Sequence, residues 1–206
     1  MGRLEAVAKE YRRLAGSYDT RWARYVAASV HQTLRRLPPD TGGRILDVGC
    51  GTGVFLQALT AARPDVRAAG IDLSPEMLAV ACGRVPNSVA LMAAAADALP
   101  FPDSCFDGIV TTNAFHFFRT PREALREFRR VLRPGGVLIL TDWCDDYLTC
   151  RICDRLLRHV SAAHYRTYGM AGLRELLAHA GFEAAHVERY RISWLWGLMT
   201  AVARRN

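Results

Sequence analysis

Lysine is nearly missing from this chain. Of 27 basic side chains only Lys9 is a lysine, so arginine carries the formal net charge of +7. No run of basic residues is interleaved with aromatics, which leaves net charge alone to argue for nucleic acid and points away from it. Long apolar runs are also lacking. The longest, such as 192–203, fall well short of the roughly 20 residues a membrane-spanning helix needs. The opening MGRLEAVAKEYRRL has no apolar leader core, and Ala6 stands where a myristoylation signal wants Ser or Thr. The six cysteines therefore read as reduced thiols, with the cytoplasm as the expected location. Cys144, Cys150 and Cys153 lack the second cysteine pair or spaced histidines of a zinc site, and no metal is expected. There is no internal repeat and no low-complexity tract. This leaves a chain of 206 residues, half of them hydrophobic, most economically folded as one domain over 1–206.

Residues 1–37 read as helical and polar enough for the surface, with Tyr11, Tyr18, Trp22 and Tyr25 placed either to pin the segment or to form a lid. Pro38, Pro39, Gly42 and Gly43 separate this segment from the first strand. Five apolar strands then alternate with helices: 45–48, 66–71, 88–94, 106–112 and 137–142. Ser74-Pro75 opens one helix as cap and first residue, and Thr120-Pro121-Arg122-Glu123 reads as a capping box for another. Helices over 145–160 and 168–180 precede two further strands, 182–190 and 192–203, so close together that the last must run antiparallel to its neighbour. The fold class is α/β: a Rossmann-like, mostly parallel seven-stranded sheet with an antiparallel last strand and helices on both faces.

At the end of the first strand stands Asp47-Val48-Gly49-Cys50-Gly51-Thr52-Gly53. Glycine lets a backbone turn sharply and approach a ligand closely. A dinucleotide fingerprint needs a third glycine five positions after the first, but Val54 is there, and no Gly-Lys-Ser/Thr loop exists. Asp47, just before the turn, would repel a pyrophosphate and suits a ligand with a positive group.

This stretch resembles the first motif of the class I S-adenosylmethionine-dependent methyltransferases, and four further motifs come after it in order. Asp72 ends the second strand, and Asp97-Ala98 succeeds the third. The fourth-strand motif runs over 106–113, and Leu132-Arg133-Pro134-Gly135-Gly136 turns into the fifth strand. The subgroup it is most similar to is the type 11 methyltransferases, akin to ubiquinone and menaquinone biosynthesis enzymes. The resemblance covers about 40–142 and the closing hairpin in outline. It implies S-adenosylmethionine as methyl donor, leaving as S-adenosylhomocysteine. The implied donor site comprises Asp47, Gly49, Cys50, Gly51, Gly53, Asp72, Leu73, Met77, Asp97, Ala98, Asn113 and Tyr18. Asp72 would hold the ribose diol, Asp97 the adenine amino group, and Leu73 with Met77 the adenine faces.

The expected reaction is direct displacement onto a small-molecule acceptor. His116, after the fourth strand, is the candidate general base; Asp142 and the 164–168 stretch are the other candidates. Asn113-Ala114-Phe115-His116 replaces the Asn/Asp-Pro-Pro-Tyr of DNA- and protein-amino-methylating relatives, which favours a small acceptor. Residues 143–168 occupy the place where the family builds its substrate pocket, and their aromatics suggest a partly apolar acceptor. Three rival readings stay open: donor binding without catalysis, thiolate-assisted methylation of arsenite through Cys144, Cys150 and Cys153, and RNA methylation.

Overall fold

A computed structural model describes residues 18–161 and 164–206, with all their side chains except those of 18–21, 160, 184 and 185. The helical expectation over 1–17, with Tyr11, lies outside the described residues, as does the side chain of Tyr18. The elements run α1 (Tyr18–Arg36), β1 (Arg44–Val48), α2 (Val54–Ala62), β2 (Arg67–Asp72), α3 (Pro75–Cys82), β3 (Ala90–Ala93) and β4 (Phe106–Thr112). After a short 3-10 turn (Phe115–Phe117) come α4 (Pro121–Val131), β5 (Leu132–Trp143), α5 (Leu148–Val160), α6 (Met170–His179), β6 (Phe182–Arg191) and β7 (Gly197–Arg205).

The seven strands form one sheet in the order β3-β2-β1-β4-β5-β7-β6. Neighbours from β3 to β5 pair in parallel, while β7 runs antiparallel to both β5 and β6. The antiparallel strand therefore sits inside the sheet, and β6 is the edge. The hairpin is looser than its sequence suggests, because Ile192 to Trp196 form a loop closed by Ile192 N–H donating to the Trp196 carbonyl at 3.0 Å. Apolar continuity across 192–196 hid that turn.

Alternate residues of each parallel strand enter opposite cores, as a two-residue side-chain period requires. Ile45, Ala68, Val110 and Ile139 pack with Phe55, Leu56 and Leu59 of α2 and Val30 of α1. Leu46, Ile71, Ile109 and Leu140 pack with Leu125 and Phe128 of α4 and Leu173 and Leu177 of α6. The chain leaves β1 toward β2 and β3, then returns to place β4 on the other side. The crevice that ligands use in such sheets opens at this reversal, beyond the C-terminal ends of β1 and β4.

Caps obey chemistry rather than pattern. Ser74 caps α3 as expected, its Oγ accepting from Met77 N–H at 3.3 Å. Thr120 does not close a capping box on α4: it makes no side-chain cap bond, and its hydroxyl instead donates to the Asp97 carboxylate. Oriented to donate to a carboxylate, the stronger kind of acceptor, the hydroxyl oxygen is not placed to accept from the helix's first amides.

Candidate functional site

Gly49, Gly51 and Gly53 all have positive φ (76°, 51° and 80°). At Gly49 a Cβ would also lie 2.5 Å from the Ala114 methyl, so this position tolerates nothing larger. At Gly51 a Cβ would meet no protein atom within 4 Å; the turn leaves that space open toward the crevice. The turn's amides are spoken for. Gly49 and Cys50 N–H both donate to the Ile71 carbonyl at 2.9 Å, Gly53 N–H to the Cys50 carbonyl at 2.9 Å, and Gly51 N–H to Asp72 Oδ2 at 2.8 Å. A loop that satisfies these donors internally is a poor anion cradle. This agrees with the acid that precedes it.

Asp47 is 2% exposed. Burial, and secondarily the charge of Asp72, lift its carboxyl well above the ordinary value. Asp72 is lifted too, by burial, against hydrogen bonds from the backbone N–H groups of Ser74, Gly51 and Leu73. Burial first, with both carboxylates adding to it, pushes the Cys50 thiol up so that it stays protonated. A positive charge entering this corner would relieve the repulsion.

Asp47, Gly49, Cys50, Gly51, Asp72, Leu73, Met77, Asp97 and Asn113 line one cleft, to which Val26 and Val30 of α1 and Phe117 and Phe118 also contribute. Gly53 and Ala98 lie outside the cleft wall. Gly53 caps α2 and lies against Ala81 and Val85 of α3, where a Cβ would come within 3.1 Å of the Ala81 methyl. The loop bearing Asp97 is fastened from α4: Glu127 accepts from Leu99 N–H at 2.8 Å, and Arg130 donates to the Phe101 carbonyl at 2.8 Å and to Asp103 at 2.8 Å.

Asn113 sits at φ 57°, and its side chain links α1 to the sheet. Tyr25 OH donates to Asn113 Oδ1 at 2.8 Å, Asn113 Nδ2 donates to Ser29 Oγ at 2.6 Å, and Trp143 Nε1 donates to Tyr25 OH. Around this chain Trp22, Tyr25, Trp143 and Trp196 pack ring against ring at centroid distances of 4.5 to 6.2 Å. The aromatics of α1 and of the 143–168 stretch meet here, joined by Trp196, which no local motif singled out.

His116 is 4% exposed and does not line the cleft. Its ring centroid is 3.8 Å from that of Phe117, which does. Asp142 Oδ1 is 2.7 Å from His116 Nδ1, while Asp142 Oδ2 accepts the His116 backbone N–H at 2.8 Å. A second pair lies beside it, joining His164 of the candidate 164–168 stretch to Asp154, which the sequence did not single out. His164 Nε2 is 2.8 Å from Asp154 Oδ1, and the two imidazole centroids are 5.3 Å apart, with the Trp143 ring beside both. Burial, then the charge of His116, push His164 down against its bond to Asp154. Asp154 is held low despite burial by His164, Thr167 N–H and Arg158. In sequence Asp154 is a single acid among arginines of α5, and nothing marked it as the buried one.

The three cysteines do not form a thiolate cluster. Burial pushes the Cys144 thiol up to about 12 and raises Cys150, whose Sγ is 3.3 Å from the Gly197 carbonyl oxygen. Among the described residues no group of three His, Cys, Asp or Glu side chains could hold a metal ion.

Comparison with known proteins gives a consistent picture. Residues 46–140 match the family profile described as "Methyltransferase domain". A malonyl-[acyl-carrier protein] O-methyltransferase of Pectobacterium atrosepticum is 32% identical over 182 residues, covering 88% of this chain and 66% of that protein. A demethylmenaquinone methyltransferase of Thermus thermophilus is 36% identical over 135 residues, 64% of this chain and 58% of that one. The chain thus spans two thirds or less of the length of these relatives. Among solved structures, a chain in the complex of the Haloferax volcanii Trm112 methyltransferase activator with a methyltransferase superposes with a TM-score of 0.82 at 21% identity, over 95% of this chain and 97% of that chain. That likeness concerns the fold.

Proposed function

Because the chain belongs to the class I S-adenosylmethionine-dependent methyltransferases of the type 11 group, we propose that its cleft holds S-adenosylmethionine and presents the methyl group to a small-molecule acceptor under α1. The observation that carries this reading is the pairing of a buried Asp47 with a half-buried Asp72, two carboxylates that repel, beside a glycine turn whose amides are bonded within the protein. Such a corner disfavours phosphate and favours a ligand bearing ammonium and sulfonium charge. Bound there, S-adenosylmethionine supplies an electrophilic methyl.

The residues fit the donor along its length. Asp47 faces the methionine end. Asp72 keeps acceptor capacity for a ribose diol beside its backbone bonds. Leu73 and Met77 offer apolar faces to the adenine, and Asp97, steadied by Thr120, accepts from its amino group. Gly49, Cys50, Gly51 and Asn113 complete the wall. Gly53 and Ala98 contribute by shaping the turn and the loop rather than by contact. Tyr18 is assigned to the lid through its place at the start of α1.

The chain's main contribution to the reaction is alignment, which can supply several kcal/mol of the barrier. His116 is the candidate base: with Nδ1 committed to Asp142, Nε2 is left to accept a proton, once Phe117 admits an acceptor. The relatives' names span an acyl-carrier substrate and a menaquinone precursor, so we assign this chain a small, partly apolar acceptor and no more. Its six free thiols suit a reducing compartment such as the cytoplasm. Incubation with methyl-labelled S-adenosylmethionine and fractionated metabolite pools should move label into a small molecule. Tight donor binding with no label leaving it would overturn the catalytic reading.

A further inference from the structure

Of the six large hydrophobic side chains exposed on the described surface, four lie on two joined elements. Leu148 (67% exposed), Ile152 (49%) and Leu156 (62%) repeat every four residues along α5, and Trp194 (82%) tips the β6–β7 loop. The join is direct: Cys150, on the inner side of α5, accepts from Gly197 N–H at 3.3 Å and lies 3.9 Å from the Leu195 carbonyl oxygen. Exposed apolar side chains concentrated on two elements tied together mark an interaction site.

The charge beside it is net positive. On the exposed side of α5 stand Arg151, Arg155 and Arg158, one helical turn apart from each other and flanking the leucine–isoleucine stripe. The single acid of α5, Asp154, is 3% exposed; it is bonded to His164 and Thr167 on the inner side and paired with Arg158, which leaves Arg155 among the three without a carboxylate in an ion pair among the described residues. The loop adds Arg191, which donates to the Trp194 carbonyl at 2.8 Å, and 189–197 contains no acid. Asp145, at the foot of α5, is engaged by Arg151.

We infer that α5 and the Trp194 loop dock this protein on an anionic lipid bilayer surface. The apolar stripe and the tryptophan would enter the headgroup boundary and the arginines would meet lipid phosphates. An apolar strip edged by a net excess of cations is the pattern of an interfacial helix, and arginine can bury its stem while keeping its charge at the headgroups. A protruding hairpin tip with one almost fully exposed tryptophan suits insertion better than a flat protein contact. The inference does not depend on the identity of the methyl donor.

The test is flotation of the full chain with vesicles of phosphatidylcholine alone and of phosphatidylcholine mixed with phosphatidylglycerol. Binding to the mixed vesicles, falling with salt and much weaker on neutral ones, is the expected result. Leu148→Ser with Leu156→Ser should abolish it, and Arg151→Ala with Arg155→Ala should weaken it at least about tenfold. The tryptophan emission lost in Trp194→Phe should be the part that shifts to the blue on binding. All these sites are exposed, so thermal melting of each variant should match the parent. The inference is overturned if the parent stays unbound, if the variants bind as well as the parent, or if the parent is a dimer that Leu148→Ser with Leu156→Ser dissociates, which would assign the patch to a second copy of the chain.

Discussion

In the proposed function Asp47 and Asp72 select a cationic ligand, and their ionisation makes that choice measurable. Both carboxyls are raised from an ordinary value of 3.8. A raised carboxyl binds its proton more tightly folded than unfolded. The associated stability is therefore full below 3.8 and is lost as pH climbs through the raised values. A cationic ligand favours the ionised forms, so donor binding should expel protons across that window and affinity should grow with pH. Titration calorimetry in buffers of different ionisation heat reads this directly, and S-adenosylhomocysteine, lacking the sulfonium charge, should release fewer protons. A proton count of zero for both ligands at every pH would defeat the electrostatic argument. Replacing Asp72 by Ala removes the acceptor of both Gly51 and Ser74 N–H; donor affinity should fall at least about tenfold, or about 1.4 kcal/mol. His116→Gln, by contrast, should leave donor affinity intact while lowering kcat by about 10² to 10⁴, the usual range for a positioned base. Parental turnover in that variant would reduce the His116–Asp142 pair to a clamp on the turn.

At the level of elements, strands and glycine turns were legible because each is dictated by nearby residues. The apolar runs, Ser74-Pro75 and the alternating glycines need no distant partner to be read. The misread features were those in which a side chain chose a partner far along the chain. Thr120 turned from its own helix to Asp97, and the 192–196 loop was hidden by its tryptophans, of which Trp196 is there to meet Trp22 and Trp143. His164 and Asp154 gave no sign of pairing beside His116. The attachment of α1 belongs to the same class. Thr33 Oγ1 donates to Thr141 Oγ1 at 2.8 Å, Thr141 and Thr200 hydroxyls are 2.9 Å apart, and Tyr190 OH is 2.7 Å from Thr200 Oγ1. This buried hydroxyl chain ties the lid through β5 to β7 and β6. Thr141→Val keeps the shape but removes the middle link, while Thr33 keeps the Ser29 carbonyl and Thr200 keeps Tyr190, so urea unfolding should show a loss of about 0.5–1.5 kcal/mol. A change smaller than experimental error would mean that water or a rotated hydroxyl replaces the lost partner.

For the molecule as a whole, the cleft lies where β1 and β2 on one side meet β4 and the lid on the other, so a bound donor touches both halves at once. A ligand that binds only the folded state at 100 times its Kd adds about 2.7 kcal/mol of stability. For a domain of this size each kcal/mol moves Tm by about 2–4 °C, so S-adenosylmethionine should raise Tm by about 5–10 °C. The shift should be small in Asp72→Ala. Its distribution matters as much as its size. Val26 and Val30 form part of the cleft wall, while α1 holds to the sheet through Asn113 and the threonine chain. Hydrogen exchange should then show donor-dependent protection in α1 as well as in the glycine turn. Protection confined to the turn and the ends of β1 and β2, with the same rise in Tm, would show that the donor is held without the lid, and that α1 closes only on the acceptor.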